Sequence, residues 1–73
     1  MTHAQQRLLD TIRSHERRCG IAEYWPVVND WVRDAGPTRH LALTNIFRTV
    51  NALIRDGIVS LDNDGYFHAS TDI

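Results

Sequence analysis

The sequence predicts an α+β fold: three helices and a C-terminal β-hairpin, with a short strand between the first two helices. Two observations predict it. Apolar residues recur three or four positions apart over most of the 73 residues, which is typical of helices with one buried face. From residue 58 onward, two short β-prone runs surround a polar turn, which predicts a hairpin. Because a chain of this length holds one hydrophobic core, we expect one domain spanning 1–73.

The first helix has recognisable signals at both ends. Thr2 and Gln5 have the spacing of a capping box, in which both side chains bind free backbone N–H groups of the first turn. Gly20 is suited to the left-handed residue that follows a helix. These signals predict a helix over 3–18. Its apolar face would contain Ala4, Leu8, Leu9 and Ile12.

The next segment predicts a strand followed by a second helix. Residues 21–25 are too few for an ordinary helix and favour a short extended segment. Pro26 is suited to the first position of the second helix, which Gly36 and Pro37 would end. The predicted buried face consists of Val27, Val28, Trp31, Val32 and Ala35.

A third helix is predicted over about 39–56, capped by either Thr38 or Thr44. Asp56 and Gly57 would end it. The predicted core stripe of this helix is Leu43, Ile46, Phe47, Val50, Leu53 and Ile54. The hairpin follows at about 58–69, with its turn at Asp62-Asn63-Asp64-Gly65.

Two helices joined by a tight turn and followed by a hairpin form a winged helix-turn-helix. Residues 47–61 resemble the recognition helix and first wing strand of bacterial winged-helix regulators. Residues 6–13 resemble the first helix of the SOS-repressor DNA-binding domain. The resemblance implies a sequence-specific double-stranded DNA-binding protein that regulates transcription, similar to the compact regulators of phages and mobile elements.

This resemblance implies that the third helix enters the major groove, with Asn45, Arg48 and Thr49 facing the bases. Arg39, His40 and Thr44, at the helix start, would meet phosphate. Arginine suits guanine, asparagine suits adenine, and threonine reaches phosphate or a thymine methyl group. A lone module would contact one half-site, so a homodimer is expected, through either the first helix or the tail after Ala69. The full predicted DNA-binding set is Arg39, His40, Thr44, Asn45, Arg48, Thr49 and Arg55.

The predicted wing suggests an alternative. Asp62 and Asp64 at its tip would repel phosphate, and the net charge is only −1. A winged helix that binds protein without DNA, as an adaptor or inhibitor, could instead use the acidic second helix, the wing and Trp25. Trp25 fits either a packed role on the helix start or an exposed one at a protein interface.

Other functions have weaker support. The single cysteine, Cys19, is four residues from His15, but no compact Cys/His cluster follows, so we expect Cys19 to be buried, His15 to lie on the surface, and no metal or cofactor. We also expect no enzyme, since neither a nucleophile motif nor a phosphate-binding loop occurs. The polar first residues predict no signal peptide and a cytoplasmic, nucleoid-associated protein.

Overall fold

A computed structural model describes residues 1–70. It contains three helices and a three-stranded antiparallel sheet in which β3 lies between β1 and β2. This α+β arrangement is consistent with the winged helix fold predicted from the sequence. In chain order the elements are α1 (His3–Cys19), β1 (Ala22–Glu23), α2 (Tyr24–Asp34), α3 (Arg39–Arg55), β2 (Val59–Leu61) and β3 (Tyr66–Ala69).

The ends of α1 form as the sequence predicts. The hydroxyl of Thr2 accepts a hydrogen bond from the Gln5 backbone N–H, and the Thr2 N–H donates to the Gln5 side chain. At the other end Gly20 adopts φ = 78°, and its N–H donates to the carbonyl of Glu16. Local sequence therefore determines the length of this helix, because its end groups are satisfied by residues within it or next to it.

Helix α2 begins at Tyr24, two residues before the predicted start at Pro26. Proline is tolerated there because the N–H groups of a first turn have no partner within the helix. The Tyr24 N–H donates instead to the carbonyl of Gly65 in the hairpin turn, at 2.9 Å. The start of α2 is thus attached to the wing.

The sheet joins the wing to the segment between α1 and α2. In β1, Ala22 is paired with Phe67 and Glu23 with Tyr66, while Leu61 of β2 is paired with Phe67 from the other side. The hairpin and its acidic turn are therefore confirmed, and the wing is held beside the start of α2.

A single 3-10 turn, Gly36–Thr38, links α2 to α3. Of the two predicted caps, Thr38 is the one at which α3 begins. Its hydroxyl donates to the carbonyl of Ala35 and does not accept from the first turn of α3. The two helices are consequently joined as closely as a helix-turn-helix requires.

Trp31 occupies the centre of the core, as predicted, with 1% of its surface exposed. Its indole Nε1 donates to the carbonyl of Ala4 at 3.2 Å. The guanidinium of Arg7 lies 5.6 Å from the centre of the indole ring and donates to the Trp31 carbonyl. Trp31 of α2 is therefore linked to Ala4 and Arg7 in the first turns of α1. The other largest fully buried side chains are Phe67, Leu8, Ile12, Leu53, Val27 and Val28.

The predicted core face of α3 is only partly right. Leu43, Phe47 and Ile54 were expected to be buried, but all three are exposed, Phe47 by 69%. The apolar stripe of α3 is wider than the surface that α1, α2 and the sheet can cover, so one of its edges stays in solvent. The helix is rotated away from that edge, and its buried residues are Ala42, Ile46, Thr49, Val50 and Leu53.

The predicted environments of His15 and Cys19 are reversed in the structure. His15 is buried and Cys19 is exposed. His15 continues the Leu8–Ile12 stripe of α1 at the next position, three residues on, and so faces α2. Cys19 is the last residue of α1 and is exposed to solvent.

Burial of His15 is compensated by Asp30 of α2. The imidazole Nε2 donates to the Asp30 carboxylate at 2.6 Å, and the same carboxylate receives Arg33 at 2.6 Å and Arg18 at 4.0 Å. The hydrogen bond from His15, with the charges of Arg33 and Arg18, holds the pKa of Asp30 below its ordinary value of 3.8, against the opposing effect of partial burial. This cluster is a polar link between α1 and α2.

Replacing Asp30 by asparagine is expected to destabilise the protein at neutral pH and to have progressively less effect in acid. A carboxyl group whose pKa is lower in the folded state stabilises that state above the unfolded pKa. The stabilisation is lost as pH falls through the folded pKa. Urea unfolding of the wild type and of Asp30→Asn at pH 7, 5 and 3 measures this. The difference in unfolding free energy between wild type and variant should persist from pH 7 to 5 and shrink below pH 4. A difference that stays constant over this range would contradict a lowered pKa of Asp30 in the folded state.

Candidate nucleic-acid interface and adjoining groove

The solvent-facing side of α3 presents a row of polar side chains. Thr44, Arg48, Asn51 and Arg55 follow one another at intervals of four, three and four residues, so they lie on one face of the helix. His40 lies one turn earlier on the same face. All five are exposed. We call these five residues the outer ridge: His40, Thr44, Arg48, Asn51 and Arg55.

The arginine charges along α3 are not neutralised by strong ion pairs. Among residues 1–70, neither Arg48 nor Arg39, the first residue of α3, forms an ion pair. Arg55 contacts Asp56 at 3.5 Å, but both side chains are largely exposed, and such a pair contributes little. The hydroxyl of Thr44 donates to the carbonyl of His40, which leaves its methyl group and an acceptor lone pair facing outward.

Two of the predicted base-facing residues lie off this ridge. Thr49 is 6% exposed, and its hydroxyl donates to the carbonyl of Asn45 within the helix. The prediction that its side chain faces outward is therefore wrong, because α3 turns that side toward the core. Asn45 is half-buried on the flank, where its amide donates to the carbonyl of Leu41.

Asn51 is the ridge residue that the sequence reasoning missed. Its spacing from Arg48 and Arg55 was the available signal, since three and four residues separate neighbours on one helix face. The other predicted residues, Arg39, His40, Thr44, Arg48 and Arg55, are exposed along α3.

Beside the outer ridge, an open groove of about 630 Å³ lies between α3, the start of α2 and the wing. We call it the wing groove. Apolar and aromatic side chains from four elements line it, namely Tyr24, Trp25, Phe47, Ile54, Leu61 and Tyr66. Among residues 1–70, Glu23 and Asp64 are the charged residues that line it, so the groove combines an apolar lining with negative charge.

Trp25 is an exposed aromatic side chain of the wing groove. It is 64% exposed, which favours the exposed alternative over the packed one. Tyr24 meets it edge to face, with ring centres 5.0 Å apart, and stacks on the buried Phe67 at 5.4 Å. Partial burial raises the pKa of Tyr24. The Trp25 ring therefore packs against Tyr24, which itself packs on the core residue Phe67.

The acidic wing turn is rigidly organised. One oxygen of Asp62 accepts the N–H groups of Asp64 and Tyr66 at 2.9 and 3.0 Å, and the other lies 2.8 Å from Nε2 of His68. The hydrogen bond from His68, followed by that from Tyr66, lowers the pKa of Asp62. Gly65 completes the turn at φ = 85°. Asp62 therefore carries its negative charge at neutral pH.

Comparison with known proteins identifies no relative of this chain. No protein-family model, curated protein or solved structure matches this sequence. Within residues 1–70, no helix is both long and apolar enough to cross a membrane. In the same part of the chain, His, Cys, Asp and Glu side chains do not gather in groups of three or more that could hold a metal ion.

Proposed function

We propose that the protein binds double-stranded DNA through α3 and regulates transcription as a winged helix-turn-helix protein. The observation that carries the proposal is the outer ridge. Arg48 has no ion-pair partner within residues 1–70 and lies between Thr44 and Asn51 on the exposed face of the second helix of a helix-turn-helix. These residue types are the ones that recognise base edges in a major groove.

Four of the five ridge residues have a distinct role in this mechanism. Arg48 donates two hydrogen bonds to a guanine edge, and Asn51 pairs with an adenine. The methyl group of Thr44 packs against a thymine methyl. Arg39 and His40, at the start of α3, bind phosphate together with the N-terminal N–H groups of the helix. The middle of α3 thus recognises the DNA sequence, and the first turn of α3 fixes the position of the protein on the DNA.

The wing does not contact the phosphate backbone in this proposal. Asp62 and Asp64 would repel it, and the hydrogen bonds of Asp62 hold the turn in place. One copy contacts one half-site through α3 alone, so we propose a homodimer on a palindromic site. Helix α1 is the candidate dimer surface within the described residues; the tail beyond residue 70 lies outside them.

Binding of a random-sequence duplex, followed by fluorescence anisotropy at 50 and 200 mM salt, tests the proposal. With about three phosphate contacts, affinity should fall about 40-fold over that range, because each contact releases counterions. A duplex that fails to bind even at 50 mM salt, to a protein that circular dichroism shows to be folded, would rule out DNA binding.

A second candidate function is protein binding without DNA, and one observation favours it. Trp25 and Phe47 are both largely exposed on the wing groove, whereas a DNA interface is more polar and more positively charged. The duplex titration separates the two candidates, because this second one predicts no salt-dependent binding.

A further inference from the structure

We propose that the wing groove is a docking site for a cationic, apolar segment of a partner protein, in which a large apolar side chain stands next to arginine or lysine. The proposal rests on the convergence of exposed apolar side chains from α2, α3 and the wing on one groove that also contains two carboxylates. The wing groove shares Asn51 with the outer ridge but none of the ridge's charged residues, so the proposal stands whether or not the protein binds DNA.

The wing groove is lined by exposed apolar side chains. Trp25 and Phe47 are exposed by 64% and 69%, and Ile54 and Leu61 are also exposed. Single apolar residues on a surface are common, but here four of them, from three different elements, border one concave site. A volume of about 630 Å³ lies within the range of pockets that bind small ligands or anchoring side chains.

Charge determines which partner fits. Within the described residues, the lining contains two carboxylates, Glu23 and Asp64, and no arginine or histidine. Aromatic ring faces attract cations and carboxylates pair with them, so both features of the groove favour arginine or lysine. Asp62 lies in the same turn as Asp64, and as an aspartate it adds negative charge beside the groove at neutral pH.

The same charges disfavour the two other possible occupants. A symmetric dimer through this groove would bring Glu23 and Asp64 of both copies into one interface, where like charges oppose association. Duplex DNA would place phosphates against the same carboxylates. A segment of another protein, with apolar and positively charged side chains, meets neither obstacle.

The groove is also preformed. Tyr24 stacks on Phe67 and supports Trp25, while the Tyr24 N–H holds the wing turn through Gly65. Because these contacts fix the groove without a ligand, little conformational entropy remains to be lost when a partner binds.

Selection from a display library of random twelve-residue peptides against the full chain tests the proposal. Enriched peptides should combine tryptophan, phenylalanine or leucine with arginine or lysine. Titration of the best peptide should show at least about tenfold weaker binding to Trp25→Ser and Phe47→Ser, as is typical of central aromatic residues at interfaces. Leu41→Ser is the matched control, because Leu41 is 52% exposed but does not line the groove. This variant should bind like the wild type.

The role of charge is tested with the double variant Glu23→Gln/Asp64→Asn and with the selected peptide after its cations are replaced by glutamate. Each change should weaken binding several-fold, and Arg48→Ala should leave it unchanged. The proposal is overturned if no peptide is enriched, if enriched peptides are acidic, or if Trp25→Ser and Leu41→Ser bind equally. A dimer in sedimentation that dissociates on Trp25→Ser would overturn it in favour of a second copy. Loss of duplex binding in Phe47→Ser with no enriched peptide would overturn it in favour of DNA.

Discussion

Replacing Trp31 by alanine is expected to leave the protein largely unfolded at room temperature. Replacing a buried aromatic residue with alanine typically costs about 3–5 kcal/mol, and small domains have little more than that in total. Trp31 is 1% exposed, belongs to the hydrophobic core and contacts Ala4 and Arg7 of α1. Its loss would also leave the Ala4 carbonyl without its donor and the Arg7 guanidinium without the ring beneath it.

Trp25→Ala is the matched control for this experiment, since the same side chain is removed from the surface. We expect it to change the unfolding free energy by about 0.5 kcal/mol or less, as exposed substitutions usually do. Urea unfolding of both variants, monitored by far-ultraviolet circular dichroism, makes the comparison. Equal losses of stability, or a stable Trp31→Ala, would contradict the described core.

Arg48→Ala is expected to weaken DNA binding about 5- to 150-fold, which corresponds to about 1–3 kcal/mol for an arginine that binds a base edge. Specificity should relax at one position of the selected site, because the guanine contact is lost while phosphate contacts remain. Measuring the affinity of the wild type and the variant for a selected duplex and its single-base substitutions gives both quantities.

Arg33→Ala removes the same charge from the last turn of α2, outside both α3 and the candidate dimer surface, and is the matched control. It should change affinity by less than the ridge substitution and should not alter base preference. If both variants lose affinity equally on every duplex, the contribution of Arg48 is general electrostatic attraction, and the base-contact role assigned to it is wrong.

Features that depend on nearby residues could be predicted from the sequence. The capping box of Thr2 and Gln5, the left-handed Gly20 and the turn ending at Gly65 all involve groups within a few residues of one another. Trp31 was also placed correctly, because it lies at the centre of its apolar stripe. At such a position a small rotation of the helix does not change which side is buried.

Features that depend on distant elements could not be predicted in the same way. Phe47 and Thr49 lie at opposite edges of the α3 stripe, and only the shape of the surface formed by α1, α2 and the sheet decides which edge is covered. His15 can stay buried because its polar nitrogen finds a partner in Asp30, 2.6 Å away on another helix. The position of Trp25 depends on the pairing of β1 with β3, which the short segment 22–23 does not indicate by its own pattern.

The most direct test of DNA recognition by α3 is an amide chemical-shift titration of the nitrogen-15-labelled protein with a short random duplex at low salt. We predict that the largest shifts occur at the backbone amides of the outer ridge, centred on Thr44 and Arg48, and that the indole N–H of Trp31 is unaffected. No shifts at any amide, or shifts confined to Trp25 and the rest of the wing groove, would contradict this prediction.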